Sequence, residues 1–279
     1  MRVQELASVV EKDSLAGGLH HLVLRSPRIA SAARAGTFVM LSVRPGKTVP
    51  LEPLLPRPFS LMSTLADAGL VEIYFRVVGR GTALLSALEV GDVLNMIGPL
   101  GRPWPHPPGD AIIVAGGAGM PPALFLAEEL GRAAGEAKRP STTSGHAASG
   151  SREVIVFYGA STRSQLFFLD RFSAAGAKVH VSTDDGSAFR RGTCLELLET
   201  WLDDTRPSQA TVYGCGPPVM LSRLFSLVSR FGLPSYVSLE SPMACGVGVC
   251  RGCAVKMRDG SFRMACTDGP VFKGEEVAF

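Results

Sequence analysis

The chain has 279 residues, about twice the usual domain length, so two or more domains are expected. With 46% hydrophobic and 19% charged residues and a net charge of only +3, the balance is that of a globular protein, and the absence of any Lys/Arg run interleaved with aromatics sets nucleic acid aside. The N-terminal residues lack a signal-peptide core and no window of about eighteen apolar residues is free of charges or breakers, so no membrane span is expected and the reading is cytoplasmic; there, six cysteines suit metal or redox chemistry better than disulfides.

From residue 18 to 99 the chain reads as short strands separated by turns: GLHHLVLRSP, TFVMLSVRPG, RPFSLMS, LVEIYFRVVG and DVLNMIGPLG. This rhythm predicts an antiparallel barrel or sandwich. One helical interruption is expected, GTALLSALEVGD, where Leu84, Leu85 and Leu88 share a helical face. Two short motifs stand in this half. Arg57, in RPFS, offers a planar and permanently charged donor suited to phosphate, and GRGT at 79–82 opens the predicted helix, where free N–H groups favour an anion. Together they could clamp a diphosphate, with Ser60 placed to donate to a flavin N5; alternatively, Arg57 is a solvated strand end and Ser60 a buried strand hydroxyl.

GRPWPHPPGD, residues 101–110, holds four prolines and resembles a linker. After it strands and helices alternate four times: AIIVAGG with PPALFLAEELGRAAG, EVIVFYGA with SQLFFLDRFSAAG, KVHVSTDD with LELLETWL, and ATVYGCG with PPVMLSRLFSLVSRFG. A doubly wound parallel α/β domain is predicted to about residue 234. The polar, small-residue stretch around 140–151 reads as a surface insertion.

In AGGAGMPP, Gly116, Gly117 and Gly119 follow a predicted strand and precede a helix, the position of a pyrophosphate-binding turn, although Pro121 replaces the last glycine of the full fingerprint. YGCGPP ends the last strand at the carboxyl edge where open α/β sheets bind ligands, so Gly214, Cys215 and Gly216 are candidates for the nicotinamide end, Cys215 being equally readable as a small buried thiol. Asp184 and Asp185, in STDDGS after the third strand, would accept from ribose hydroxyls and repel a 2′-phosphate; they favour NAD over NADP, with Arg190 and Arg191 near enough to blunt the preference. Cys194 reads as a buried helix-start residue with no redox role. No Ser-His-Asp set, H-E-x-x-H or Walker lysine motif supports hydrolysis or phosphoryl transfer.

Residues 235–279 are rich in Gly and Cys and too short for a core of their own, so a metal centre is expected to organise them. Cys245, Cys250, Cys253 and Cys266 stand as C-x4-C-x2-C-x12-C. A structural zinc site more often pairs two C-x2-C hooks or adds histidine, and no His follows His180. The plant-type [2Fe-2S] spacing matches, and Gly246, Gly248 and Gly252 would let the loop wrap closely enough for backbone N–H groups to reach sulfur. Zinc stays open as the alternative.

In this order, Arg-Pro-x-Ser, Gly-x-Gly-Thr, Gly-Gly-x-Gly-x-x-Pro and Cys-Gly-Pro-Pro, the motifs resemble the ferredoxin-NADP reductase superfamily across residues 1 to about 234. The tail SLESPMACGVGVCRGCAVK with ACTDGPVF resembles the electron-transfer-subunit family of NAD-dependent (class 1B) dihydroorotate dehydrogenases. The resemblance implies a six-stranded Greek-key barrel holding FAD (1–104), a nucleotide domain for NAD as substrate (105–234) and a [2Fe-2S] subdomain (235–279). It places Arg57, Pro58, Phe59 and Ser60 on the flavin motif, Gly79, Gly81 and Thr82 on the diphosphate turn, and the four late cysteines on the cluster. From the placement of their motifs, Ser60 and Cys215 are the residues expected nearest the hydride transfer. Phe59 stands where many members of the superfamily have Tyr, so a hydroxyl contact to the flavin is missing. The implied partner is an FMN-containing subunit that oxidises dihydroorotate in pyrimidine synthesis, in a heterotetramer of two plus two, with Met243 and Arg251 as candidate interface residues. Two other readings remain: a flavin and [2Fe-2S] subunit of a ferredoxin-NADP transhydrogenase, sulfite reductase or hydrogenase, and a zinc-stabilised nucleotide-binding module without catalysis.

Overall fold

The computed structural model describes residues 2–42, 54–137 and 152–279; the insertion read at 140–151 lies outside them. The chain divides into two compact units, Met1–Trp104 with Ser238–Ala278, and Pro105–Val237 with Phe279.

In the first unit, β1 (Val3–Leu15), β2 (Leu19–Arg25), β3 (Phe38–Ser42), β4 (Arg57–Leu65), β5 (Leu70–Arg76) and β6 (Val93–Leu100) close into a barrel in the order β1-β2-β5-β4-β3-β6. Every neighbouring pair is antiparallel. Strand β6 shows why: its side chains alternate between buried Leu94, Met96 and Leu100 and more exposed neighbours, the period-2 pattern of a sheet with one apolar face. Leu22, Leu61, Ile73 and Met96 are fully buried in this unit's core.

Three features differ from the sequence expectation. The barrel starts at β1, ahead of residue 18; only Val3, Ala7 and Val9 of its 13 residues are buried, so it carries little apolar alternation. A second helix, α1 (Pro27–Ala32), joins α2 (Arg80–Ser86); it buries just Ile29 and Ala30, too few to show a period. Glu5 anchors its start, its carboxylate accepting from the Ser26 hydroxyl and, at 3.0 Å, from the Ile29 N–H. The supposed linker is also fixed at its beginning. Trp104 is buried and donates its backbone N–H to the Ala35 carbonyl at 2.9 Å, and the Arg102 backbone N–H donates to Gly269 O at 2.6 Å. A run of prolines reads locally as a spacer, but a buried indole is a long-range contact that local composition does not reveal.

The second unit contains β7 (Asp110–Gly116), α3 (Met120–Ala137), β8 (Val154–Ala160), α4 (Leu169–Ala174), β9 (Lys178–Thr183), β10 (Arg190–Arg191), α5 (Cys194–Thr205), β11 (Ala210–Cys215), α6 (Pro218–Arg230) and β12 (Ser235–Ser238). Its strands run β10-β9-β8-β7-β11-β12. The pairs from β10 to β11 are parallel, and β7, central and buried on both faces, is where the winding reverses between β8 and β11. The four strand–helix rounds are present. Helix α4 is shorter than its sequence pattern because Phe168 enters it at φ 59°, a left-handed residue that helical backbone does not continue through.

The cysteine-rich tail contributes β13 (Ala254–Lys256), β14 (Phe262–Met264) and β15 (Val271–Lys273), the first two as a hairpin. Cys253, Ala265 and Cys266 share one apolar cluster with Phe38, Met40 and Leu100 of the barrel, and Met243, Val247, Val255 and Met264 pack against it. Residues 238–278 therefore take part of their core from β3 and β6, which supplies apolar burial besides whatever the cysteines bind.

Candidate redox centre and nucleotide pocket

The cysteine loop is shaped by close approach to the barrel. Gly246 has φ +70°, and a Cβ there would stand 2.4 Å from the Met40 side chain; Gly248 has φ +88° and would meet Thr267 at 2.9 Å. Both positions need glycine for conformation and for room. Gly252 does not: its φ is not positive and the nearest atom to a Cβ would be Cys250 Sγ at an ordinary 3.7 Å.

Three backbone amides point at sulfur. Val247 and Cys250 donate to Cys245 Sγ at 3.4 and 3.5 Å, and Gly252 donates to Cys250 Sγ at 3.5 Å. Burial raises the Cys245 thiol, but the amides of Cys250 and Val247 outweigh it and bring it down to about 6. Cys266 goes the other way, up to about 11, because it is buried and lies beside the Cys253 thiol. Cys245 thus interacts with Cys250, and Cys266 with Cys253 and more weakly with Cys245, while among the described residues no three Cys, His, Asp or Glu side chains already converge as a metal site. Cys250 is exposed, Cys253 and Cys266 are buried. Two pairs of cysteines, one supplied with amide donors, are the ligand set of a two-metal cluster that takes two cysteines per iron and binds them as thiolates.

Ser60 pairs in register with Phe38 across β4 and β3, so the RPFS motif and the core residue that packs on Cys253 and Cys266 are cross-strand neighbours. Ser60 is half-buried, and its hydroxyl has no hydrogen-bond partner among the described residues. Phe59 is buried with its ring edge-on to Phe75, 5.7 Å between centroids; Pro58 is half-buried. Arg57 donates to the Leu55 carbonyl and lies so close to Gly81 that a Cβ there would meet its Nε at 2.4 Å. Gly79 has open space around its Cα. The Thr82 hydroxyl accepts from the amides of Val78 (2.9 Å) and Gly79 (3.1 Å) and donates to Gly79 O (2.9 Å), so it fastens the turn that enters α2. An arginine stacked on a side-chain-free turn, an open glycine and an unengaged hydroxyl fit a flavin dinucleotide with its diphosphate at the turn.

In the other unit, a cavity of about 640 Å³ opens at the ends of β7, β8 and β9 and between α5 and α6. Gly116, Gly117 and Asp184 line it. Gly117, at φ +52°, has nothing within 4 Å of where a Cβ would be, leaving space for a ligand to meet backbone. Gly119 serves the frame instead: a Cβ there would lie 2.0 Å from Cys215 O, so the first and last strand ends touch through backbone. Gly214 is packed against Leu224 and Gly216 against Met220, and Cys215 is buried; none of these three lines the cavity. Asp185 also lies outside it. Its carboxylate accepts from the Ser187 amide at 2.9 Å and hydroxyl at 2.6 Å, which holds it below the usual carboxylate range.

Sequence reasoning missed several lining residues. Thr193 and Glu196 form a reciprocal cap on α5, Glu196 N–H to Thr193 Oγ1 at 3.3 Å and Thr193 N–H to Glu196 Oε2 at 2.7 Å, legible as T-x-x-E. Cys194 lines the cavity but is buried, and burial pushes its thiol up to about 12, so it stays protonated. From α6 come Val219, Met220, Arg223 and Arg230.

A closed antiparallel barrel followed by a doubly wound nucleotide unit defines an oxidoreductase of the ferredoxin-reductase fold. Among solved structures, the chain is similar to one from a study of NADH-dependent reduced ferredoxin-NADP oxidoreductase (TM-score 0.80, 27% identity, 98% of this chain and 90% of that one). It also resembles the ferredoxin reductase of carbazole 1,9a-dioxygenase (TM-score 0.65, 20% identity, 83% and 67%), which supports the fold alone. Residues 240–278 match the family model for the iron-sulfur cluster binding domain of dihydroorotate dehydrogenase B. The electron transfer subunits of dihydroorotate dehydrogenase B (NAD(+)) from Desulforamulus reducens and Geobacillus thermodenitrificans are 36% and 33% identical, over 98% of this chain and 97% and 98% of theirs. The chain belongs to this family of electron-transfer subunits. Among the described residues no helix is long and apolar enough to cross a membrane.

Proposed function

We propose that the protein relays electrons between a dihydroorotate-oxidising, FMN-containing subunit and NAD, with FAD held at Arg57–Ser60 and Gly79–Thr82 and a [2Fe-2S] cluster on Cys245, Cys250, Cys253 and Cys266. The observation that carries this reading is the register of β3 against β4: Ser60 lies opposite Phe38, which packs on Cys253 and Cys266. Adjacent strands lie about 4.8 Å apart, so two redox groups on these motifs stand within tunnelling range.

Bound there, flavin exchanges hydride with nicotinamide and single electrons with the cluster, the conversion that neither partner makes alone. The chain's part is positional. Arg57 neutralises diphosphate charge, Ser60 offers a hydroxyl hydrogen bond at the flavin edge, and Phe59 with Phe75 gives an apolar wall. The amides of Val247, Cys250 and Gly252 stabilise thiolate charge at the cysteine loop. In the nucleotide unit, Asp184 accepts from ribose hydroxyls and disfavours a 2′-phosphate, while Gly116 and Gly117 admit the diphosphate to backbone. Cys215, buried at the end of β11, packs the strand end near the nicotinamide. The exposed Cys250 and Arg251 and the half-buried Met243 face the partner, in a cytoplasmic assembly of two plus two subunits.

The test is reconstitution. Purified protein should show flavin and [2Fe-2S] absorption and reduce a dye with NADH alone, but produce NADH from dihydroorotate only after the FMN subunit is added. A colourless, fully metallated protein would rule out both cofactors. Co-purification with a partner that carries extra iron-sulfur clusters and lacks dihydroorotate activity would instead favour a transhydrogenase, the alternative that the NADH-dependent ferredoxin-NADP oxidoreductase likeness keeps in view.

A further inference from the structure

The nucleotide cavity has an unbalanced charge. Residues of α6 at positions 219, 223, 226 and 230 line it, spaced by four, three and four, so one face of that helix forms a wall. Arg230 on this wall is neutralised by Glu199 of α5 at 2.7 Å. Glu196 is held in the α5 cap. Arg223 is exposed and engages no carboxylate or carbonyl among the described residues. It stands one turn along α6 from Met220, whose sulfur is packed against Gly116. Asp184 lies at the other flank of the cavity, on the end of β9, separated from β11 by β8 and β7; three strand spacings make about 14 Å. The cavity therefore has a carboxylate at one end, side-chain-free glycines in its floor and a lone guanidinium at the other. Gly116 and Gly117 bring backbone to the ligand but no net positive charge, and a dinucleotide diphosphate carries two negative charges.

We infer that Arg223 is the diphosphate anchor of the nucleotide pocket, placing its guanidinium on the phosphates of the dinucleotide while Asp184 takes the adenosine ribose. This rests on the reading of the cavity as the NAD site. The guanidinium is solvent-accessible, so it contributes as a charge-assisted hydrogen bond on an open wall and not as a buried ion pair.

Calorimetric titration of the FAD- and cluster-loaded protein tests it without turnover. Three probes are used: ADP-ribose, adenosine, and the 2′-phosphorylated form of ADP-ribose. Arg223→Ala should weaken ADP-ribose about tenfold and leave adenosine within about twofold, and Arg223→Lys should recover part of the loss. The affinity for ADP-ribose of the parent should fall with added salt more steeply than that of the Ala variant. Equal ADP-ribose affinity in parent and Arg223→Ala overturns the inference but leaves the NAD reading intact. A loss confined to the 2′-phosphorylated probe also overturns it, assigning Arg223 to the 2′-phosphate. Failure of the parent to bind ADP-ribose at all removes the NAD reading itself, and the inference with it.

Discussion

The cysteine loop and the nucleotide pocket solve opposite problems. In the loop, three thiols fall within nine residues, the sulfurs of Cys245 and Cys250 receive backbone amides from their neighbours, and the glycines at 246 and 248 are pressed against Met40 of the barrel and Thr267 of the tail. In the pocket, the ends of β7, β8 and β9 contribute a few residues and the faces of α5 and α6 several more around open space. A redox centre that keeps its ligands is built from contiguous chain packed into a core, whereas a site that must release its ligand is assembled from separated elements around a void.

That contrast can be broken first at the cluster. Cys250→Ser should abolish [2Fe-2S] absorption while NADH-dependent dye reduction through FAD continues; loss of dye reduction with FAD still bound would mean the order of carriers is wrong. Next comes the pocket's frame. Gly119→Ala puts a Cβ 2.0 Å from Cys215 O, and chemical denaturation should show a loss of at least about 3 kcal/mol. Within the loop, Gly246→Ala should cost about 1–2 kcal/mol and lower iron content, while Gly252→Ala should stay within about 0.5 kcal/mol; equal effects would contradict the close-approach argument. For the pocket's chemistry, Asp184→Ala should narrow the NADH over NADPH preference about tenfold in kcat/KM, and Asp185→Asn, tied outward to Ser187, should leave it nearly unchanged.

The smallest effect concerns the side of the barrel formed by β1, β2 and β5. His21 is buried; burial lowers its pKa, but the carboxylates of Glu72 at 2.9 Å and Asp13 at 3.2 Å outweigh this and raise it. A raised folded pKa adds stability that is complete below about pH 6.5 and is lost as pH rises through the higher folded value. Thermal melts of His21→Gln should lose this part of the pH dependence, and an unchanged profile would count against the protonated His21 brace.

Amphipathic alternation and turn residues made β2 to β6 legible, and strand–helix alternation made the nucleotide unit legible. Strand β1 was hidden because its apolar side is short, and α1 because two buried residues make no period. The cluster ligands could be read because their spacing is itself the geometry. Asp184 and Asp185 could not be separated by position, since adjacent residues at a strand end point differently and only one reaches the cavity.

By itself the sequence determined the succession of barrel, nucleotide unit and cysteine tail, the four thiols, and the glycines that let backbone approach other groups, because each depends on spacing within a few residues. Only the tertiary structure decided that the tail shares its core with β3 and β6, that Trp104 fixes the start of the supposed linker, and that Arg223 meets Asp184 around one cavity. These depend on which distant segments become neighbours, and that is set by strand order and burial, which no local period encodes.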